Sequence, residues 1–229
     1  MSARAEGLLL VDKPAGITSH DVVQLVRRAY HEKSIGHLGT LDPFATGLLI
    51  LLIGRFTRLA TFIETEPKVY EATIRFGAET DTDDNTGSVI REAPLPTKDA
   101  VLAAIPSFMG VITQVPPAYS AKSVDGIRAY DAARLGEPLE LQPVEVNVSR
   151  LTVTAMRENE IDVTIECGTG TYIRSLARDL GRSAGSAAHL AALRRTRSGA
   201  FRVEDATTVD VLKTNPPRLR HLSVVASDA

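Results

Sequence analysis

The chain has 229 residues, 44% hydrophobic and 24% charged, with a formal net charge of −2. That composition excludes the disordered and fibrous classes, and the length is ample for a buried core. The single cysteine, Cys167, excludes an intramolecular disulfide framework and a cysteine-rich zinc site. No basic-then-apolar leader opens the chain, and no apolar run approaches the roughly 18 residues of a membrane span. A soluble, cytoplasmic protein with no membrane partner is expected, a monomer by default.

Residues 7–12 predict a short strand that ends at the turn Lys13-Pro14-Ala15-Gly16. Thr18-Ser19-His20-Asp21 has the form of a capping box with Asp in the third position. The helix it opens places Val22, Leu25, Val26 and Ala29 on one face. Next comes Gly36-His37-Leu38-Gly39-Thr40-Leu41-Asp42-Pro43-Phe44-Ala45-Thr46-Gly47, and then the apolar run 48–53, which predicts a buried strand. Pro43 biases Asp42 toward extended backbone. Gly39 and Gly47 allow main chain or a ligand to approach closely. A short helix is expected near 55–63 and an alternating strand over 68–76.

Residues 77–97 read as a polar loop region, 97–108 as a capped amphipathic helix, and Val115-Pro116-Pro117 as a break. A further helix is expected over 127–135. Residues 144–156 and 161–167 have strand composition and are joined by a polar turn. A helix from about 172 to 184 carries Ile173, Leu176, Ala177 and Leu180 on one face and Arg174, Arg178 and Arg182 on the other. A strand and a short helix run on to about Leu212. Without an internal repeat or a linker, an α+β fold in one domain over 1–213 is expected, with 214–229 as a C-terminal surface tail.

The distribution of charge says more than its sum. Between Tyr172 and Arg202 stand seven arginines (174, 178, 182, 194, 195, 197 and 202) against one acid, Asp179. Such a cluster suits a polyanion, or is balanced in space by the acids of 79–92. The turn Asp81-Thr82-Asp83-Asp84-Asn85-Thr86-Gly87 imitates a calcium loop, but its glycine is one position late, and a polar turn is the reading; no metal is expected. Gly168-Thr169-Gly170-Thr171 reads as a tight turn or, with the arginines behind it, a phosphate cradle. His37 has no Cys or Glu at ligand spacing, which leaves a structural role or substrate contact. Tyr70 reads as a strand aromatic or as a base-stacking one. Asp42 is either a turn residue or a carboxylate held for catalysis at the mouth of a rigid strand.

Four blocks together resemble the bacterial tRNA pseudouridine-55 synthase family, the TruB type: Lys13-Pro14-Ala15-Gly16-Ile17-Thr18-Ser19, the whole stretch 36–47, Pro116-Pro117-Ala118-Tyr119-Ser120-Ala121-Lys122, and Gly170-Thr171-Tyr172-Ile173-Arg174-Ser175-Leu176. Leu193-Arg194-Arg195-Thr196-Arg197-Ser198-Gly199 supports them. The blocks stand in family order and cover about residues 7–210. The resemblance implies the pseudouridine synthase fold, a mixed, largely antiparallel sheet with flanking helices. It implies isomerisation of uridine in the tRNA T-loop by base flipping, with no cofactor and no obligatory protein partner. It makes Asp42 the catalytic aspartate, Arg174 its guanidinium partner and Tyr70 the aromatic that stacks on the target base. His37 would fill space left by flipped bases, and Tyr172 and Leu193 would line the uracil pocket. Lys13, Arg58 and the arginine helix would contact phosphates. Family members commonly continue into a small RNA-binding domain called PUA. With about 20 residues left after the core, no PUA domain is expected here.

Overall fold

The computed structural model describes residues 5–120, 122–124 and 126–220. In chain order the elements are β1 (Gly7–Lys13), α1 (Ser19–Tyr30), β2 (Ile35–Leu38), β3 (Thr46–Ile53), a 3-10 segment (Gly54–Phe62), β4 (Lys68–Phe76), β5 (Ala78–Thr80), β6 (Val89–Glu92), α2 (Lys98–Ala104), a second 3-10 segment (Ile105–Phe108) and β7 (Gly110–Gln114). They continue with β8 (Ser123–Val124), β9 (Ile127–Arg128), α3 (Ala129–Arg134), β10 (Val144–Met156), β11 (Glu160–Cys167), α4 (Ile173–Ser183), β12 (Ala188–Ser198), β13 (Phe201–Arg202), a 3-10 turn (Val203–Asp205), β14 (Thr207–Thr208) and α5 (Val209–Thr214). The architecture is mixed α+β with mostly antiparallel pairing. The chain divides into two units, one of residues 1–70 and 194–229, the other of residues 71–193. No described helix is long and apolar enough to cross a membrane.

The first unit is built on β3. Each of Leu48, Leu49, Ile50, Leu51, Leu52 and Ile53 is at most 1% exposed, as befits a strand covered on both faces. β1 runs antiparallel beside it, with Leu9 opposite Leu51 and Val11 opposite Leu49. On its other side β2 pairs antiparallel, and the end of β12 pairs parallel through Arg194–Thr46 and Arg195–Gly47. Alternation sorts the side chains. Leu9, Val11, Leu49, Leu51 and Ile53 pack with Val22, Val23 and Val26 of α1 and Val209 and Leu212 of α5. Leu8, Leu10, Leu48, Ile50 and Leu52 pack with Phe201 and Val203. Each such side chain contributes about 2 kcal/mol of burial. The capping box forms as expected: Thr18 Oγ1 accepts from Asp21 N–H, and the Asp21 carboxylate accepts from Thr18 N–H at 2.8 Å.

The second unit orders its strands β12–β4–β11–β10–β7. β10 is antiparallel to both neighbours, with Leu151 opposite Ile165 and Val146 opposite Ile112. Ile173, Leu176, Ala177 and Leu180 of α4 are buried, as the helical spacing predicts.

Several expectations change. The helix expected near 55–63 is 3-10 in form. The one expected over 97–108 is α-helical only to Ala104, because Pro106 has no N–H to continue the ladder. The helix over 127–135 shortens to α3, since Ile127 and Arg128 instead pair with Ser123 and Val124. The expected tail is, as far as Arg220, fastened to the first unit. Leu8 and Arg220 exchange main-chain bonds of 2.9 Å, and Tyr30 Oη donates to the Pro217 carbonyl. Residues 221–229 of that stretch lie outside the described residues, as does Ala121.

Candidate active site

In the first unit the loop between β2 and β3 carries Asp42, and it is tied down residue by residue. Ser19 Oγ donates to the Leu41 carbonyl at 3.0 Å and accepts from Leu41 N–H at 2.9 Å. The Pro43 carbonyl accepts from Gly16 N–H at 2.9 Å and from Lys13 Nζ at 3.2 Å. Ala45 N–H donates to the Asp42 carbonyl. The residues on either side of Asp42 are therefore held to the turn after β1 and to the first turn of α1. Asp42 itself is half-buried. The arrangement gives a carboxylate a fixed backbone, which is what a catalytic carboxylate needs.

Lys13, to which the resemblance assigns a phosphate contact, lies beneath the loop. It is fully buried, and its ammonium donates to the carbonyls of Pro14, Ile17 and Pro43. Three carbonyls match the three donors of an ammonium, so it serves the loop rather than a surface. Burial pulls its pKa down to about 8, against the pull of the Asp42 and Asp21 carboxylates that keep it charged.

His37 lies on β2 opposite Leu51. Its Nδ1 is buried with no hydrogen-bond partner. Burial, and then the charges of Arg195 and His20, hold its pKa below the usual histidine value. Tyr70 is 8% exposed on the inward face of β4, more buried than a half-exposed strand aromatic. Arg58 is exposed on the 3-10 segment.

The glycines flanking Asp42 have a specific cause. Gly39 and Gly47 both have positive φ, at 71° and 103°. A Cβ at Gly47 would collide with the main chain of Arg195, and one at Gly39 would lie 3.0 Å from Arg195 Nη1. The close approach is by Arg195, whose side chain is 1% exposed. Its Nε donates to the Leu48 carbonyl at 2.8 Å and its Nη2 to the Gly39 carbonyl at 2.9 Å.

In the second unit Tyr172 is the residue before α4, and its main chain exchanges hydrogen bonds with the buried Gln114 side chain. Arg174 is 5% exposed. It donates to the carbonyls of Thr82 and Tyr119, each at 2.9 Å, and lies 3.7 Å from the Asp84 carboxylate. The Tyr119 block and the Tyr172 block, far apart in sequence, thus meet through this guanidinium. Leu193 is buried at the end of the unit.

The arginine helix is not a free basic face. Arg178 pairs with Asp83 at 2.8 Å and with its neighbour Asp179, and Arg182 pairs with Glu79 at 2.7 Å. Glu79 also pairs with Arg91. Burial raises Glu79, but the two arginines overbalance it and bring its pKa down to about 2. Asp83 is pushed by burial up to about 6, against the opposing charge of Arg178. For the three arginines of α4, balance by the acids of 79–92 is the reading realised. In the first unit Arg194 forms a forked pair with Asp12, and Arg197 Nε donates to the Gly199 carbonyl. The acidic turn 81–87 is organised by its own bonds: Asp84 accepts from Thr82, from Thr86 N–H and from Thr86 Oγ1, and Asp81 accepts from Ser88 N–H.

Sequence reasoning missed Ser19, Gln114 and the work of Arg195. Ser19 was masked by its place in a capping box, and Gln114 carried no signal. Arg195 was counted as one charge among seven and as part of a supporting block, without a role of its own.

Comparison with known proteins bears on both units. The model of the TruB family pseudouridylate synthase N-terminal domain matches residues 27–173, and that of the tRNA pseudouridylate synthase B C-terminal domain matches 174–218. tRNA pseudouridine synthase B of Thermobifida fusca is 50% identical over 218 residues, covering 91% of this chain and 74% of that protein. The Opitutus terrae protein of the same name is 46% identical over 213 residues, covering 92% of this chain and 88% of its own. Among solved structures, a chain of a Cbf5–Nop10–Gar1 complex superposes with a TM-score of 0.69 at 28% identity, covering 89% of this chain and 54% of that one. A chain of an H/ACA RNP bound to a substrate RNA containing 2′-deoxyuridine gives 0.66 at 26% identity, covering 89% and 51%. The chain thus spans about half the length of those solved chains.

Proposed function

Since the chain belongs to the TruB family of pseudouridylate synthases, we propose that its target is the T-loop uridine at position 55 of tRNA, with Asp42 as the catalytic carboxylate. The reaction is an isomerisation of uridine to pseudouridine: the N1–C1′ bond breaks, the base turns, and C5 joins C1′. The proton leaves C5 and N1 gains one, so no electrons enter or leave. A uridine inside a folded arm must first be extruded, at a cost of a few kcal/mol. RNA recognition then rests on shape and unstacked bases.

The observation that carries this reading is the fixation of the Asp42 loop through Leu41 and Pro43. A carboxylate on so constrained a backbone is aimed before the substrate arrives. Tyr70 stacks on the extruded base and takes part in proton transfer from C5. Arg174 supplies the guanidinium that the resemblance assigns to Asp42, where such a group keeps a carboxylate ionised and oriented. Tyr172 and Leu193 line the uracil pocket. His37 fills the space that flipped bases leave. Arg58, exposed and on the surface, is a phosphate contact. The protein acts in the cytoplasm as a monomer on the T-arm, without an obligatory protein partner.

The test is incubation of the purified protein with an unmodified tRNA transcript, followed by pseudouridine mapping, alongside Asp42→Asn. Product at the T-loop position with the parent and none with the variant is expected. Product at another site would overturn the choice of target, and full activity of Asp42→Asn would overturn the catalytic role.

A further inference from the structure

Arg195 stands out in the first unit as a buried cation whose donors meet main-chain carbonyls rather than a carboxylate. Taking a guanidinium out of water is costly, and two neutral acceptors offset this less well than an ion pair would. The placement of those two acceptors is informative. Gly39 opens the segment that carries Asp42, and Leu48 closes it. One planar fork therefore bridges both ends of the loop, like a staple across its neck. The strand register sets the fork in place, because Arg195 sits opposite Gly47 in the parallel pairing of β12 with β3.

We propose that Arg195 is a positioning residue for the isomerisation: it fixes the Asp42 loop by clasping Gly39 and Leu48, and Gly39 leaves room for its guanidinium. The inference rests on the reading of Asp42 as the catalyst. Gly39 keeps positive φ and leaves room for the guanidinium, since a Cβ there would lie 3.0 Å from Arg195 Nη1, whereas Gly47 admits only the main chain of residue 195. The charge is felt locally as well, since, after burial, it is among the causes that lower the His37 pKa. A lysine at 195 would carry the charge but not the geometry, because its one nitrogen cannot place donors at the two separate positions that Nε and Nη2 occupy.

The test compares Arg195→Met, Arg195→Lys and Gly39→Ala with the parent, in single-turnover isomerisation of an unmodified tRNA transcript. tRNA affinity and thermal midpoint are measured for each. A small displacement of a catalytic group costs on the order of 100-fold in rate. Arg195→Met should fall by about that much with tRNA affinity kept, and Arg195→Lys should recover little of it. Gly39→Ala disturbs the same contact from the loop side and should slow the same step. Rates that drop only in proportion to the folded fraction, or full recovery by Arg195→Lys, would overturn the proposal. If Arg195→Met fails to fold, unchanged rates in the other two variants would do so. Asp42→Asn in the same assay separates the two claims. An active Asp42→Asn refutes the catalytic reading beneath, whereas an inactive one beside a fully active Arg195→Met refutes the positioning role alone.

Discussion

Ser19 and Leu41 hold each other by both polar groups of one peptide residue: the Ser19 hydroxyl accepts from Leu41 N–H at 2.9 Å and donates to Leu41 C=O at 3.0 Å. Ser19 is 3% exposed and Leu41 equally so, so water cannot replace the hydroxyl. The residue before Asp42 is thereby joined to the helix that packs on β1 and β3.

Ser19→Ala should leave both main-chain groups of Leu41 buried and unsatisfied, at a cost of about 2 kcal/mol. Chemical denaturation should show that loss of stability. Single-turnover isomerisation should fall by more than the folded fraction explains, since the loop that aims Asp42 is loosened. A rate unchanged per folded molecule would remove Ser19 from the support of the site.

The ion pairs of α4 predict a stability effect where a phosphate-binding face would predict an affinity effect. Arg178→Ala strands Asp83, whose side chain is only 9% exposed, and should cost about 3 kcal/mol. Arg182→Ala should cost about 1 kcal/mol, because its side chain is 54% exposed and Glu79 retains Arg91. Filter binding across a salt series should give both variants the parent's slope of affinity against salt. A slope flattened by about one unit in either would return that arginine to the RNA-binding surface.

Glu79 gives a pH dependence of definite sign. Its folded pKa is about 2 against an ordinary 4.5, so between these values the unfolded chain binds the extra proton. Its contribution is fully present above about pH 4.5 and is lost as the pH falls toward 2. The size is on the order of 3 kcal/mol. Urea midpoints should show the parent's advantage over Glu79→Gln growing as the pH rises from 3 toward 5, then levelling. A constant difference would mean that Glu79 titrates normally in the folded protein.

Much of this was legible in the chain. The apolar run 48–53 marked the central strand because a strand covered on both faces needs no alternation. Residues 68–76 marked another by alternating. Thr18 and Asp21 announced the start of α1 because a capping box is local, closing within four residues. Asp42 was visible as a carboxylate between Pro43 and Gly39, and the family blocks supplied its significance. Lys13 was visible too, but not its burial. Whether an ammonium meets solvent or three carbonyls depends on the loop that returns over it from Pro43.

The sequence alone determined most of the secondary elements and the family, and it marked Asp42 as the candidate carboxylate, because these depend on neighbours within a few residues or on long exact blocks. Only the tertiary structure decided what the seven arginines do. Arg178 finds Asp83 and Arg182 finds Glu79 across 95 and 103 residues of chain. Arg195 reaches Gly39 across 156. Charge is a property of a residue, but the partner that neutralises or employs it is a property of the fold, and no local period records where the chain comes back.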